Sequence, residues 1–242
     1  MNIHIENLKK TFGEKTAVDI PAFTIESEDI LGFVGNNGAG KTTLFRLLLD
    51  LIKADEGTVE YREVATGDGI TTINPATSEE WKSFTGAHID ESFLIDFLMP
   101  EEYFEFIGKT NGMSKEEVYQ RIGEFESLMA GEILGQKKYI RNFSAGNKQK
   151  IGIIAAMLSH PKLVILDEPF NFLDPTSQNV LKKTLIDYQH THHATILVSS
   201  HNLQHTIDIS NRIALLEHGV IVKDLPNENG SAEKELEDYF GV

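Results

Sequence analysis

Apolar and polar residues alternate over residues 2–8 and 17–25, whereas 30–34, 163–166, 195–199 and 213–216 are almost continuously apolar. The first pattern fits strands with one face on a core, and the second fits strands covered on both faces. Shorter β-rich runs at 58–61, 85–89 and 220–222 complete the set. Stretches of helix length lie between several of these runs. Residues 41–52 follow a glycine-rich turn, 100–110 open on Pro-Glu-Glu, and 114–129 open on Ser114 with Glu117 at capping-box spacing. Residues 144–160 and 175–190 give two more helices, the latter with Asp174 as N-cap and Pro175 in its first turn. Apolar strands alternating with helices predict an α/β fold, a mostly parallel sheet with helices on its faces.

Residues 92–141 read as helix with no strand between, while both flanks alternate. This predicts one domain, 1–242, in which a helical subdomain at 92–141 is inserted into an α/β core made of 1–91 and 142–242. The tail NENGSAEKELEDYFGV reads as a turn and a short acidic helix from about residue 231, with no sign of what it packs against.

Composition narrows the function classes. The chain has 242 residues, 22 Lys plus Arg against 37 Asp plus Glu, and a formal net charge of -15. Such a surface repels nucleic-acid backbones and anionic membranes, so no nucleic-acid partner is expected. An anion can still bind where the local field is focused. The absence of cysteine excludes a disulfide framework, a cysteine nucleophile and Cys-ligated zinc or iron–sulfur centres, and it fits a cytosolic location. MNIHIENLKK lacks the apolar core of a secretory signal, and no apolar run approaches the ~18 residues of a bilayer span. Any membrane role is therefore expected to come through a partner.

Directly after the run at 30–34 stands GNNGAGKTT, that is Gly35, Asn36, Asn37, Gly38, Ala39, Gly40, Lys41, Thr42 and Thr43, followed by a helical pattern. Strand, glycine-rich turn, Gly-Lys-Thr and helix together make a P-loop. The glycines let successive backbone N–H groups face one concavity at a helix N-terminus, where a triphosphate's oxygens accept them. Lys41 outweighs the helix end, since a unit charge 4 Å away gives about 4 kcal/mol at an effective dielectric of 20, against ~0.3–1 kcal/mol from the dipole. Thr42 offers Mg²⁺ a hydroxyl, a hard oxygen donor. The run LVILDEP then delivers Asp167 and Glu168 at a strand's carboxyl end, where open α/β sheets bind ligands. Asp167 is the expected Mg²⁺ ligand, and Glu168 the group that polarises the water attacking the γ-phosphate.

Three further stretches carry a family resemblance. FSAGNKQK, residues 143–150, resembles the ABC ATPase signature LSGGQ-x-Q-R, with Phe143 for Leu, Ala145 for the first Gly, Asn147 for Gln and Lys150 for Arg. NFLD, ending at Asp174, is similar to the D-loop, and His201 in LVSSH looks like the switch histidine. In order and spacing from Phe12 to His201, the chain resembles the ATP-binding subunit of an ABC transporter. That resemblance implies a P-loop NTPase core with an N-terminal antiparallel β part, and ATP and Mg²⁺ as cofactors. It implies that two such subunits sandwich ATP, each P-loop facing the other copy's Ser144, Ala145, Gly146 and Asn147. It places Phe12 against the adenine, His201 on the γ-phosphate as a catalytic residue, and Asp174 at the contact between copies. It also implies a separately encoded integral membrane permease, so that the chain sits peripherally on the cytoplasmic face of the cell membrane.

The pattern departs from the family at the Q-loop, where GAHIDES carries Asp90 in place of Gln, followed by Glu91. An acidic residue there resembles exporters of bacitracin-like and lantibiotic peptides, which favours export. Asp90, or Glu91 in its stead, is expected to offer Mg²⁺ an oxygen. Phe93, Phe97, Tyr103 and Phe104 lie where the family's permease contact is placed, with core packing as the alternative for some of them. The histidines at 190, 192 and 193 are expected to favour a helix C-terminus rather than a metal. A soluble single-cassette ATPase acting in assembly is the competing function.

Overall fold

The computed structural model describes residues 1–64 and 70–241. Two sheets organise it. The alternating strands β1 (Asn2–Phe12) and β2 (Lys15–Ile25) form an antiparallel hairpin, and β3 (Ile30–Val34) leaves it for the second sheet. After α1 (Lys41–Leu48), β4 (Glu56–Val64) and β5 (Ile70–Ile73) return to the first sheet, whose order is β2-β1-β4-β5. The second sheet takes β6 (Thr85–His88), β7 (Leu163–Leu166), β8 (Thr195–Ser200), β9 (Arg212–Glu217) and β10 (Val220–Pro226), in the order β10-β9-β3-β8-β7-β6. Its strands are parallel except for β10.

Between β6 and β7 run α2 (Pro100–Thr110), α3 (Lys115–Gly123), α4 (Glu126–Met129) and α5 (Ala145–Met157), with no strand among the described residues. The remaining helices are α6 (Pro175–His192), α7 (Leu203–Ile209) and α8 (Glu233–Phe240).

The continuous apolar runs are explained by two cores on opposite faces of the parallel sheet. Leu163 and Ile165 face the core shared with β1, β2, β4 and α1, whereas Val164 and Leu166 face the one built by α2 to α6. Helix α5 is buried from Gln149 to its end and lies very close to β6: a Cβ on Gly86 would fall 1.7 Å from the Ala156 carbonyl oxygen.

Several expectations are corrected. The helix expected over 114–129 breaks into α3 and α4, because Gly123 weakens the helix and Phe125 turns into the core at 3% exposure. Neither β5 nor α7 was expected, and α1 stops four residues short of 52. The acidic tail helix does have a seat: Leu236 and Ala232 pack with Val34, Ile207, Ile213 and Leu215. Tyr103 and Phe104 are core residues, whereas Phe93 and Phe97 are exposed.

Candidate active site

Strands β3, β8, β7 and β6 are adjacent and parallel, so their carboxyl ends lie along one edge and deliver the P-loop, His201, Asp167–Glu168 and Asp90 respectively. The turn from β3 into α1 needs its glycines. Gly40 sits at φ 115°, and a Cβ there would lie 2.3 Å from the Ala17 carbonyl oxygen. The first-turn amides of α1 lack intrahelical acceptors by construction and open on the same cleft. Phe12, Lys15, residues 37–43 and Glu168 line that cleft, whose volume is about 290 Å³.

Lys41 is only 6% exposed and donates to the Gly35 carbonyl oxygen at 2.6 Å, with Glu168 Oε1 at 3.5 Å. Glu168 Oε2 accepts from the backbone N–H of His201 at 3.2 Å and from its ring Nδ1–H at 2.8 Å. The carboxylate is thereby held between a buried ammonium and an imidazole. Thr42 donates to Asp167 Oδ2 at 2.5 Å, and Ser199 donates to Asp167 Oδ1. Burial pushes the Asp167 carboxyl up, and the hydrogen bonds from Ser199 and Thr42 oppose that. A threonine hydroxyl that gives its proton to a carboxylate turns its lone pairs outward, so Thr42 and Asp167 form a hard-oxygen pair that fits Mg²⁺.

The family model for ABC transporters matches residues 18–171. The chain belongs to the ABC transporter family. It is similar to TupC, the tungstate uptake system ATP-binding protein of Peptoclostridium acidaminophilum, at 31% identity over 90% of this chain and 96% of the relative. It is also similar to BcrA, the bacitracin transport ATP-binding protein of Bacillus licheniformis, at 30% identity over 93% of this chain and 69% of that one. A solved dimeric structure of the ATP-binding cassette MJ0796, bound to ADP and Pi, shares the fold with a TM-score of 0.78 at 20% identity, covering 94% and 99% of the two chains. As an ABC transporter ATP-binding subunit, the chain binds and hydrolyses ATP.

Within this ABC cassette Ser144 to Asn147, the residues expected to form the signature, do not line the P-loop cleft. Ser144 caps α5, accepting from the Asn147 N–H at 3.2 Å, and Ser144 and Ala145 are exposed. Gly146 lies against the D-loop, since a Cβ there would fall 2.6 Å from the Phe172 carbonyl oxygen. Asp174 caps α6, accepting from the N–H groups of Thr176 and Ser177. Phe12 ends β1 and is 53% exposed at the cleft's rim.

Asp90 is committed elsewhere. One oxygen accepts from Arg46 on α1 at 3.1 Å, and the other accepts from the N–H and hydroxyl of Ser92, capping the short 3-10 turn Glu91–Phe93. Burial raises its pKa, but the Ser92 bonds and Arg46 outweigh this and leave the carboxyl below its ordinary value. The oxygen expected for Mg²⁺ is therefore held by a guanidinium and a serine. Glu91 is not at the metal pair either, accepting instead from Lys148 of α5 at 3.2 Å.

Sequence reasoning missed Lys15, whose ammonium would lie 3.6 Å from a Cβ on Gly38, and missed Ser199 and Gln149 beside the acidic pair. Lys15 left a signal, a lone cation after the turn that follows Phe12, but nothing in the chain's order marks the other two.

Proposed function

We propose that two copies of this cassette, or this cassette and a second ATP-binding subunit, close on ATP and thereby drive a separately encoded membrane permease. The observation that carries the reading is the Glu168 carboxylate fixed between Lys41 and His201 at the wall of the P-loop cleft. The P-loop amides and Lys41 bind the β- and γ-phosphates, and Phe12 stacks on the adenine. Thr42 and Asp167 hold Mg²⁺, which supplies charge neutralisation on the phosphate oxygens. Glu168 accepts the proton of the attacking water while that water's oxygen bonds to the γ-phosphorus. The bond to the β–γ bridging oxygen breaks, and ADP and phosphate leave. His201 orients Glu168 and meets the γ-phosphate. Ser144 through Asn147, of which Ser144 and Ala145 are exposed, lie at the start of α5 outside their own chain's cleft and receive the partner's γ-phosphate, and Asp174 lies at the contact between copies.

Residues 92–141 form the helical subdomain on a core of 1–91 and 142–242, and exposed Phe93 and Phe97 are its permease contact. No helix among the described residues is long and apolar enough to cross a membrane; the proposed position is peripheral, on the cytoplasmic face through the permease. Export is the proposed direction, supported by the acidic pair at 90–91. The permease selects the cargo.

Glu168→Gln tests the mechanism. It is expected to keep ATP affinity, lose hydrolysis by about 10²- to 10⁴-fold and accumulate an ATP-bound dimer in analytical ultracentrifugation. Turnover at the wild-type rate would remove Glu168 from this role.

A further inference from the structure

We infer that Gln149 is a positioning residue for Glu168. Its side-chain amide, oriented by His88, holds the Glu168 peptide in the backbone conformation that aims the carboxylate between Lys41 and His201, tying helix α5 to the hydrolytic site. The inference rests on the role given to Glu168 above.

Glu168 has φ 48°, in the left-handed region that residues with a Cβ rarely adopt. Such a conformation persists where the surroundings over-determine it. Here both flanks of the residue are held. Its N–H donates to Ser199 Oγ at 2.8 Å, from the neighbouring strand β8. Its carbonyl oxygen accepts from the Asn171 N–H at 3.1 Å, within the turn that follows, and from Gln149 Nε2 at 3.3 Å, from α5. The two side-chain anchors come from separate elements, and only Gln149 is on the helix that Ser144 caps.

The orientation of Gln149 is itself specified. Its Oε1 lies 3.3 Å from His88 Nε2, at the end of β6. An amide whose NH₂ is committed to a carbonyl can only accept through its oxygen, so His88 must carry its proton on Nε2. A flipped amide would set two oxygens against each other at Glu168 and leave the His88 N–H without an acceptor. His88 is 3% exposed and Gln149 9%, so water does not readily substitute for either bond. The backbone closes the loop, because the His88 carbonyl oxygen accepts from the Asp167 N–H at 2.9 Å.

Space for the ring is provided by α5. A Cβ on Gly152 would lie 2.2 Å from the His88 ring, so a glycine at this helical position lets the imidazole reach Gln149. A shift of α5 against β6 therefore acts on the Glu168 carbonyl through one side chain. The signature residues of this chain and its own water-activating carboxylate are linked by that contact.

The test compares Gln149→Met, His88→Leu, His88→Gln and the Gln149→Met/His88→Leu pair in the full chain. Steady-state ATP hydrolysis with magnesium, ATP affinity, thermal unfolding and NMR of His88 and Glu168 are the readouts. Gln149→Met is expected to lower kcat tenfold or more while ATP affinity stays within twofold. His88→Leu gives a similar loss, the double variant loses no more than either single one, and His88→Gln, which keeps a donor at the reach of Nε2, recovers most of the activity. Imidazole ¹⁵N shifts show the Nε2–H tautomer in the wild type, and Glu168 backbone carbon shifts move towards those of negative φ in Gln149→Met.

Wild-type kcat in Gln149→Met overturns the inference. So does a loss that follows ATP affinity or unfolding temperature and is the same in His88→Gln as in His88→Leu. Should Gln149→Met fail to fold, the His88 pair and the Glu168 shifts decide. Glu168→Gln separates the two levels: wild-type turnover there removes the underlying role of Glu168, whereas an inactive Glu168→Gln beside a fully active Gln149→Met removes only the role of Gln149.

Discussion

Ser199→Ala removes one buried oxygen that serves both acidic residues. The hydroxyl is fully buried, accepts from the Glu168 N–H at 2.8 Å and donates to Asp167 Oδ1. Leaving the Glu168 N–H unpaired costs about 1–3 kcal/mol, and a hydrogen bond to a charged acceptor contributes about 1.5–3 kcal/mol. The second figure is an upper limit here. Asp167 keeps its bond from Thr42, and its burial already favours the protonated form, which tolerates a lost donor. The expected destabilisation is therefore about 2–4 kcal/mol. For a domain of this size that lowers the unfolding midpoint by about 4–16 °C. Urea and thermal unfolding measure it, with Asp167→Asn and the double variant completing a cycle. The cycle matters because Ser199 and Asp167 share a bond, so their costs should fall short of additivity by at least about 0.5 kcal/mol. A Ser199→Ala cost below about 0.5 kcal/mol, or strict additivity, would refute the view that this hydroxyl holds the acidic pair together.

Two further outcomes are expected. Phe12→Ala should weaken ATP binding about 5- to 150-fold, the equivalent of about 1–3 kcal/mol of stacking, with kcat at saturating ATP unchanged and Phe12→Tyr near wild type; unaltered affinity in a nucleotide titration would take the ring away from the base. Leu236→Ala empties a fully buried position beneath α8, lined by Val34, Ile207, Ile213 and Leu215, at a cost of about 2–5 kcal/mol. Since α8 ends the described chain, faster hydrogen exchange in α8 should precede any fall in global stability, and unchanged exchange would contradict the docking.

The legible parts of the cassette are those whose chemistry is consecutive in sequence. GNNGAGKTT is readable because a strand, a phosphate-sized concavity and a helix follow one another within one short stretch, and LVILDEP because a strand covered on both faces ends in two carboxylates. Strand β5 was illegible for the opposite reason: Ile70 to Thr72 are exposed, so burial imposes no alternation on them. Helix α7 has seven residues, too few for a helical period to stand out. The histidine cluster shows how far contacts stray from sequence neighbours. His192 packs against His160, with ring centroids 3.9 Å apart and planes tilted by 44°, and His193 pairs with Glu28 at 3.0 Å.

The same logic separates the two halves of the active site. Residues that touch the nucleotide are given by local motifs, because a phosphate is gripped by one turn of backbone and one lysine. Apart from Lys41, Thr42 and His201, the side chains that hold Asp167 and Glu168 in place come from α5 and β8, with a backbone bond from β6, and only the sheet order β8-β7-β6 with α5 packed upon it brings them together. Asp90 illustrates the consequence. Its position in GAHIDES implied a metal contact, yet the partner that takes its charge is Arg46, one helical turn beyond the P-loop threonines. The pair is about two-fifths exposed on both sides, so the ion pair contributes at most about 1 kcal/mol. Arg46 and Ser92 thus set where the Asp90 carboxylate rests.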